Sequence, residues 1–327
     1  MRSPEISKKS ADRTWSIVTG SIDGPEDLRE VSRGSNIDVV QLKPKKVQGS
    51  ITHIGMGNIG VSLGRFNSEL RMRGALDQHR LVLGTILDSA GRVTQWWQDV
   101  IPGDVGVFPA CVEFDSIHCG GAEYLTVSLD LSELISISGF GDALDDPAFW
   151  NTKRLCRPNP GIGESVRRRL KGIISDVERM SAAPTAQAID FLQRSIIEAF
   201  VISLTSAHPQ RESSFYSGAR LVSETEGYVD AAGGRPVHIS ELCSALKVSR
   251  RSLHRAFADI LGVGPVAYLR RRRLSAVRSV LSHSDPATIS IGDLAFEYGF
   301  PEPSRFAAYY RAHFGEKPSD TSRRCQK

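Results

Sequence analysis

The apolar positions change period near residue 160. Between 37 and 131 they alternate or come in short runs. Ile59, Val61 and Leu63 alternate with Gly60 and Ser62, and further runs cover 81–87, 105–108, 111–114 and 124–129. Turn signals such as Ala90-Gly91 and Pro102-Gly103-Asp104 separate them. Short strands at this spacing predict an antiparallel barrel or sandwich. Residues 1–36 show neither period and read as an irregular arm.

From Gly163 the period becomes helical. Val166, Leu170, Ile173, Ile174 and Val177 share one face, and a second helix after Pro184 carries Ile189, Leu192, Ile196, Phe200 and Leu204. Ile197 and Val201 widen that second stripe, which calls for burial on two sides. A partner subunit would supply the second side, or the helix packs wholly inside its own chain. The polar stretch 208–218 reads as a connector, and Ala231-Ala232-Gly233-Gly234-Arg235-Pro236 marks a break. The expected division is an arm (1–36), a β-rich domain (37–150), a helical segment and linker (151–218) and a final all-α domain (219–327).

That last domain repeats one plan. In the first copy Ile239, Leu242, Cys243 and Leu246 form an apolar face, Lys247-Val248 is a short turn, and Ser249 suits the N-cap of a second helix. Leu253 and Phe257 point inward there, leaving Arg250, Arg251, His254 and Arg255 on the other face. This is the helix-turn-helix design, in which the second helix enters a major groove about 12 Å wide. In the second copy Ser290 and Asp293 make a capping-box variant, and Ile291, Leu294 and Ala295 face inward. Gly299 suits a left-handed helix end. A second helix starts near Pro303 and repeats Phe306, Tyr310 and Phe314 until Gly315 and Pro318 end it. A helix from Gly264-Pro265 to Ser282 joins the copies. Its roughly 27 Å length approaches the ~34 Å between successive major-groove faces. Its run Arg270 to Arg273 is either a solvated face, or a set in which some arginines touch phosphate and others pair with carboxylates of the domain.

Charge follows this division. Residues 235–327 hold 16 of the 41 Lys+Arg and 8 of the 37 Asp+Glu, so a net +4 chain divides into +8 there and −4 elsewhere. Such asymmetry points to a polyanion, most simply double-stranded DNA. No stretch approaches the ~18 apolar residues of a membrane span. Residues 1–14 lack the apolar core of a secretory signal, so a cytoplasmic protein with no membrane partner is expected. The five cysteines, Cys111, Cys119, Cys156, Cys243 and Cys325, show no C-x-x-C pair and read as reduced structural thiols.

These residues resemble the AraC/XylS family of bacterial transcription regulators over about 239–318. The resemblance rests on Leu242, Val248-Ser249, Leu253, Arg255, Phe257, Gly264-Pro265, Tyr268-Leu269-Arg270, Arg273-Leu274, Arg278 and Leu281. It continues through Ile291, Leu294-Ala295, Gly299-Phe300, Ser304, Phe306, Phe314-Gly315 and Pro318. It implies an α+β multidomain fold with a cupin-like sensing barrel, on the similarity of Pro102 to Pro109 to a turn and strand of such barrels. It also implies a dimerising helical segment and two homeodomain-like helix-turn-helix units on a linker helix. By position it assigns DNA contacts to Ser249, Arg250, Arg251, His254 and Arg255, and to Ser304, Arg305, Ala308 and Arg311. Ala308 and Thr321 depart from the family, which commonly has an arginine and an aromatic there. The second unit is therefore expected to anchor phosphate through Arg305 and Arg311, and the first to discriminate sequence. A homodimer, a small-molecule effector and a contact with RNA polymerase follow from the same resemblance.

Enzymatic readings find less support. His53, His79 and His118 lie in the β region without the H-x-H pattern of metal cupins, so no metal and no cofactor is expected. The Gly55, Gly57, Gly60 string precedes a strand pattern, not a helix, and lacks the dinucleotide context. No nucleophile-elbow motif is present, and no catalytic residue is assigned. Trp96 and Trp97 serve either core packing or the lining of an effector pocket. A DNA-binding regulator without a ligand, its N-terminal domain used only for self-association or partner contacts, is the rival reading.

Overall fold

The structure is a computed structural model that describes residues 15–30, 36–138, 147–151, 154–207, 217–285 and 288–324. The chain begins with β1 (Trp15–Ile22), α1 (Asp27–Glu30), β2 (Asn36–Gln41), β3 (Gly49–Met56), β4 (Ile59–Phe66), β5 (Leu70–Ala75) and β6 (Leu81–Ser89). It continues through β7 (Val93–Gln95), β8 (Gln98–Val100), β9 (Val105–Phe108), β10 (Glu113–His118) and β11 (Ala122–Leu129). Then come α2 (Leu131–Ser138), α3 (Pro147–Trp150), β12 (Arg154–Cys156), α4 (Pro160–Glu178) and α5 (Ala186–Thr205). The remainder is helical: α6 (Ser217–Ala231), α7 (Ile239–Ala245), α8 (Arg250–Leu261), α9 (Pro265–His283), α10 (Ile291–Glu297), α11 (Pro303–Phe314) and α12 (Pro318–Arg324).

Two antiparallel sheets face each other. The larger runs β1-β3-β4-β11-β6-β9-β12 and the smaller β2-β5-β10-β7-β8. Strand alternation sends Val61, Leu63, Leu83, Leu125 and Val127 to the outer face of the larger sheet, where they pack on Leu170 and Ile174 of α4 and Phe200 and Leu204 of α5. Ile197 and Val201 are 1% and 0% exposed inside this same core, so the wide stripe of α5 is covered by its own chain. The smaller sheet turns Val40, Leu42 and Ile117 outward onto Val222, Leu253, Phe257 and Tyr268 of the C-terminal helices. Four layers result: helices, sheet, sheet, helices. Between the sheets lies a cavity of about 380 Å³.

The lead-in expected to be irregular contains β1, which pairs with β3 along its whole length. Most of β1 is exposed or half-buried, so its sequence shows no in-out alternation. Helix α6 also escapes the apolar period, because Thr225 and Glu226 share its buried face with Ala219 and Val222. The connector 208–216 lies outside the described residues. Among the described residues no helix is long and apolar enough to cross a membrane.

Candidate nucleic-acid interface

The first helix-turn-helix is α7 and α8. His238 accepts a hydrogen bond from Ser240 N and caps α7, and Ser249 Oγ accepts one from Ser252 N at 3.0 Å and caps α8. The turn between them places Lys247 at φ +53° and is closed by Val248 N donating to the Cys243 carbonyl. Helix α8 buries Leu253, Ala256, Phe257 and Leu261. Arg250, Arg251, His254 and Arg255 are all exposed on the opposite side, with Arg255 3.6 Å from Asp259. Gly262 ends α8 in the left-handed conformation.

The second unit is α10 and α11. Ser290 Oγ accepts from Asp293 N at 3.3 Å, and Gly299 takes φ +77° after α10. Phe306, Tyr310 and Phe314 stack inward. Ser304, Arg305, Ala308 and Arg311 are exposed, and Arg305 lies 3.2 Å from Glu302. Arg311 and Lys317 flank a groove whose other wall includes Ile291 and Gly292. The substituted position Thr321 is buried: its hydroxyl meets Tyr310 Oη at 2.8 Å and donates to Glu316. Gly315 ends α11 in the left-handed conformation, and Pro318 opens α12.

Helix α9 holds the two units. None of Arg270 to Arg273 is exposed, so the solvated-face alternative fails. Arg270 lies over the Tyr309 ring at 4.3 Å. Arg271 donates to the Leu42 carbonyl, and Arg272 pairs with Asp230 and Asp38. Arg273 donates to the Gly299 carbonyl at 2.9 Å and covers Phe300. Arg278, 2% exposed, bridges Glu26 and Glu316.

Several of these contacts reach the smaller sheet, and a second set completes the junction. Arg71 on β5 is fully buried and donates to both carboxylate oxygens of Glu226 on α6, at 3.1 and 2.8 Å, and to both of Asp115 on β10. Tyr268 Oη of α9 donates to the same Glu226. Burial pushes the Glu226 carboxyl up, but the Arg71 charge and hydrogen bonds outweigh it and hold the group below its ordinary value. Gln41 Nε2 also donates to the His313 carbonyl at 3.0 Å. The sequence gives no local signal of this junction, because its partners are separated by 155 to 272 positions.

Trp96 and Trp97 form the turn between β7 and β8, at φ +48° and +65°. They diverge. Trp96 packs inward on Phe108 near the cavity, and Trp97 lies beneath the Arg71 guanidinium at 4.7 Å. Of the β-region histidines, His53 bonds Ser62 Oγ at 2.8 Å and His118 is buried. Among the described residues no cluster of His, Cys, Asp or Glu is placed to hold a metal. Cys111, Cys119, Cys156 and Cys243 are free thiols, and Cys325 lies outside the described residues.

A two-sheet domain bearing a pair of helix-turn-helix units, each with a cationic outer helix, defines the class of transcription regulator. Residues 242–324 match the model of a helix-turn-helix domain family. An XylDLEGF operon transcriptional activator 2 of Pseudomonas putida is 32% identical over 126 residues, covering 38% of this chain and 80% of that protein. The chain belongs to the AraC/XylS family. A longer XylDLEGF operon transcriptional activator of Pseudomonas putida is 29% identical over 181 residues, 52% of this chain and 55% of the relative. The match therefore spans about half the length of that relative. The crystal structure of the AraC-like transcriptional activator CuxR aligns with 79% of this chain and 94% of its own, at 13% identity and a TM-score of 0.42.

Proposed function

We propose that this chain is a sequence-specific DNA-binding transcription regulator of the AraC/XylS type whose two-sheet domain responds to a small-molecule effector. The supporting observation is the simultaneous exposure of the α8 and α11 outer faces while α9 is fixed by internal contacts. Arg250, Arg251, His254 and Arg255 offer donors to base edges, and Ser249 offers its backbone to phosphate at the helix start. Ser304, Arg305 and Arg311 offer phosphate contacts, and Ala308 offers an apolar contact such as a thymine methyl. Helix α9 contributes mainly rigidity, because Arg271, Arg272 and Arg273 are bonded inside the protein. The reading is non-enzymatic and cytoplasmic. Self-association belongs to it, with Phe191, 70% exposed on α5, available to a second copy. A contact with RNA polymerase belongs to it as well.

Selection of bound sites from a randomised duplex pool tests this reading. Wild type is expected to yield a motif. Arg251→Ala and His254→Ala are each expected to relax it at defined positions, at about 1–3 kcal/mol per lost contact. Arg311→Ala is expected to weaken all sequences alike and to reduce the salt slope by about one. An unchanged motif in both α8 variants would remove the assignment of that face.

A further inference from the structure

The cavity between the sheets owes its space to glycine. Gly55 and Gly60 face each other across β3 and β4, Gly84 and Gly106 do so across β6 and β9, and all four line it. At about 380 Å³ it falls in the lower part of the ~300–1,000 Å³ range of small-molecule pockets. Phe108, Phe114 and Tyr124 supply apolar wall.

The opposite wall carries an unsatisfied polar row. Gln95 of β7 pairs in register with Ser116 of β10, and His118 pairs with Val93, so the three polar side chains share one sheet face. Among the described residues, Gln95 Nε2, Ser116 Oγ and His118 Nδ1 have no hydrogen-bond partner, although the residues are only 6%, 1% and 3% exposed. Gln95 and His118 line the cavity directly. A buried donor or acceptor left without a partner is costly, so such a row calls for a partner that arrives from outside, water in the cavity or a ligand that displaces it.

The charged groups of the wall are bonded within the protein. Asp104 is held by Arg157 at 2.7 Å. Asp77 accepts from Ser128 Oγ and from the backbone of His79 and Arg80. Arg80 donates to the Asn58 carbonyl and lies 3.7 Å from Asp130. Burial pushes His118 down to about 4, so its imidazole is neutral at pH 7 and offers no countercharge.

We infer that the cavity takes an uncharged small molecule with a flat apolar body and a single hydrogen-bonding head, such as an amide or hydroxyl, seated on Gln95 and His118. This rests on the effector-responsive reading above and adds the chemical class of the effector. An anion or cation of the same shape, its head seated on Gln95 and His118, would meet only uncharged side chains there and pay its desolvation uncompensated.

The test uses the full chain at pH 7, with ligand affinity followed by thermal shift and tryptophan fluorescence. The probes are cinnamamide, cinnamyl alcohol, cinnamate and cinnamylamine, which share a body and differ in head group. The two neutral compounds are expected to bind at least about tenfold more tightly than either ion. Gln95→Leu combined with His118→Leu should cancel the advantage of cinnamamide. Gly60→Val should abolish binding of all four while leaving the protein folded, because a Cβ at Gly60 would approach nothing closer than Ser128 at 3.9 Å. Equal or tighter binding of cinnamate or cinnamylamine, binding of none of the four, or neutral binding that survives Gly60→Val overturns the inference. Site selection from the randomised pool, run on the same preparation, stays positive in each of those cases unless the regulator reading itself fails.

Discussion

Arg71 is the residue on which the junction between the two halves turns. Its guanidinium satisfies two buried carboxylates at once, and removing it strands Glu226 and Asp115. Breaking a buried pair from one side costs about 3–5 kcal/mol, a large share of the ~5–15 kcal/mol that holds a domain folded. Arg71→Met is therefore expected to lower the urea midpoint strongly, and Arg71→Met with Glu226→Leu to recover much of the loss. A single variant within about 1 kcal/mol of wild type would contradict this role. The buried histidines set a pH dependence. His118 and His313 lie near 4, desolvation being the main cause in both and the Arg271 charge adding to it in His313. The unfolded chain, with histidines near 6.5, takes up these protons first, so stability falls as pH drops from about 6.5 towards 4. Each histidine contributes about 2 kcal/mol of loss between pH 7 and pH 5. Urea midpoints of wild type and His313→Gln at both pH values check it, and an equal loss in the variant would contradict it. Residue by residue, the α8 face was legible because Arg250, Arg251, His254 and Arg255 sit opposite Leu253 and Phe257 on a helix whose period is plain. The arginines of α9 were not. Four like charges in a row point around the whole helix, and their partners lie at Tyr309, Leu42, Asp38, Asp230 and Gly299, beyond any local pattern.

At the scale of elements, the ends of helices carry the most local information. Ser249, Ser290, Gly299 and Gly315 each occupy the cap that their residue type suggests, because capping chemistry is decided within one turn. Gly299 and Gly262 both take positive φ, but their surroundings differ. A Cβ at Gly299 would lie 2.6 Å from Arg273 Nη1 and from the Pro236 ring, whereas one at Gly262 would meet nothing within 4 Å. Gly262→Ala is expected to cost only the left-handed backbone penalty, about 1–2 kcal/mol. Gly299→Ala adds displacement of the Arg273 contact and should cost measurably more by chemical denaturation. Equal losses would show that the Pro236 and Arg273 packing gives way freely. Elements without a clean period were illegible for identifiable reasons. Strand β1 lies at a sheet edge with little buried face, and α6 buries Glu226 against Arg71 and Thr225 with its hydroxyl on the Leu221 carbonyl. The Trp96-Trp97 turn uses two bulky residues where glycine or asparagine would signal a hairpin.

For the whole molecule, the smaller sheet separates a cavity with unpaired polar groups from the helices that hold the two recognition units. Strand β10 carries Ser116 and His118 on one face and Asp115 and Ile117 on the other, so it touches both compartments. The two-sheet class and the duplicated C-terminal plan were readable from period alone. The stacking of the first on the second was not, since it depends on long-range ion pairs. In the proposed mode of DNA binding, α9, a helix of 19 residues and roughly 28 Å, sets α8 and α11 into successive major grooves on one side of a duplex. The most direct measurement is the affinity of the full chain, at physiological salt, for a selected site and for the same site with five base pairs inserted between its two contacted segments. The insertion turns the second segment to the opposite side of the duplex. The account predicts at least about a hundredfold loss, down to the level of one engaged unit. Affinity unchanged by the insertion would contradict it.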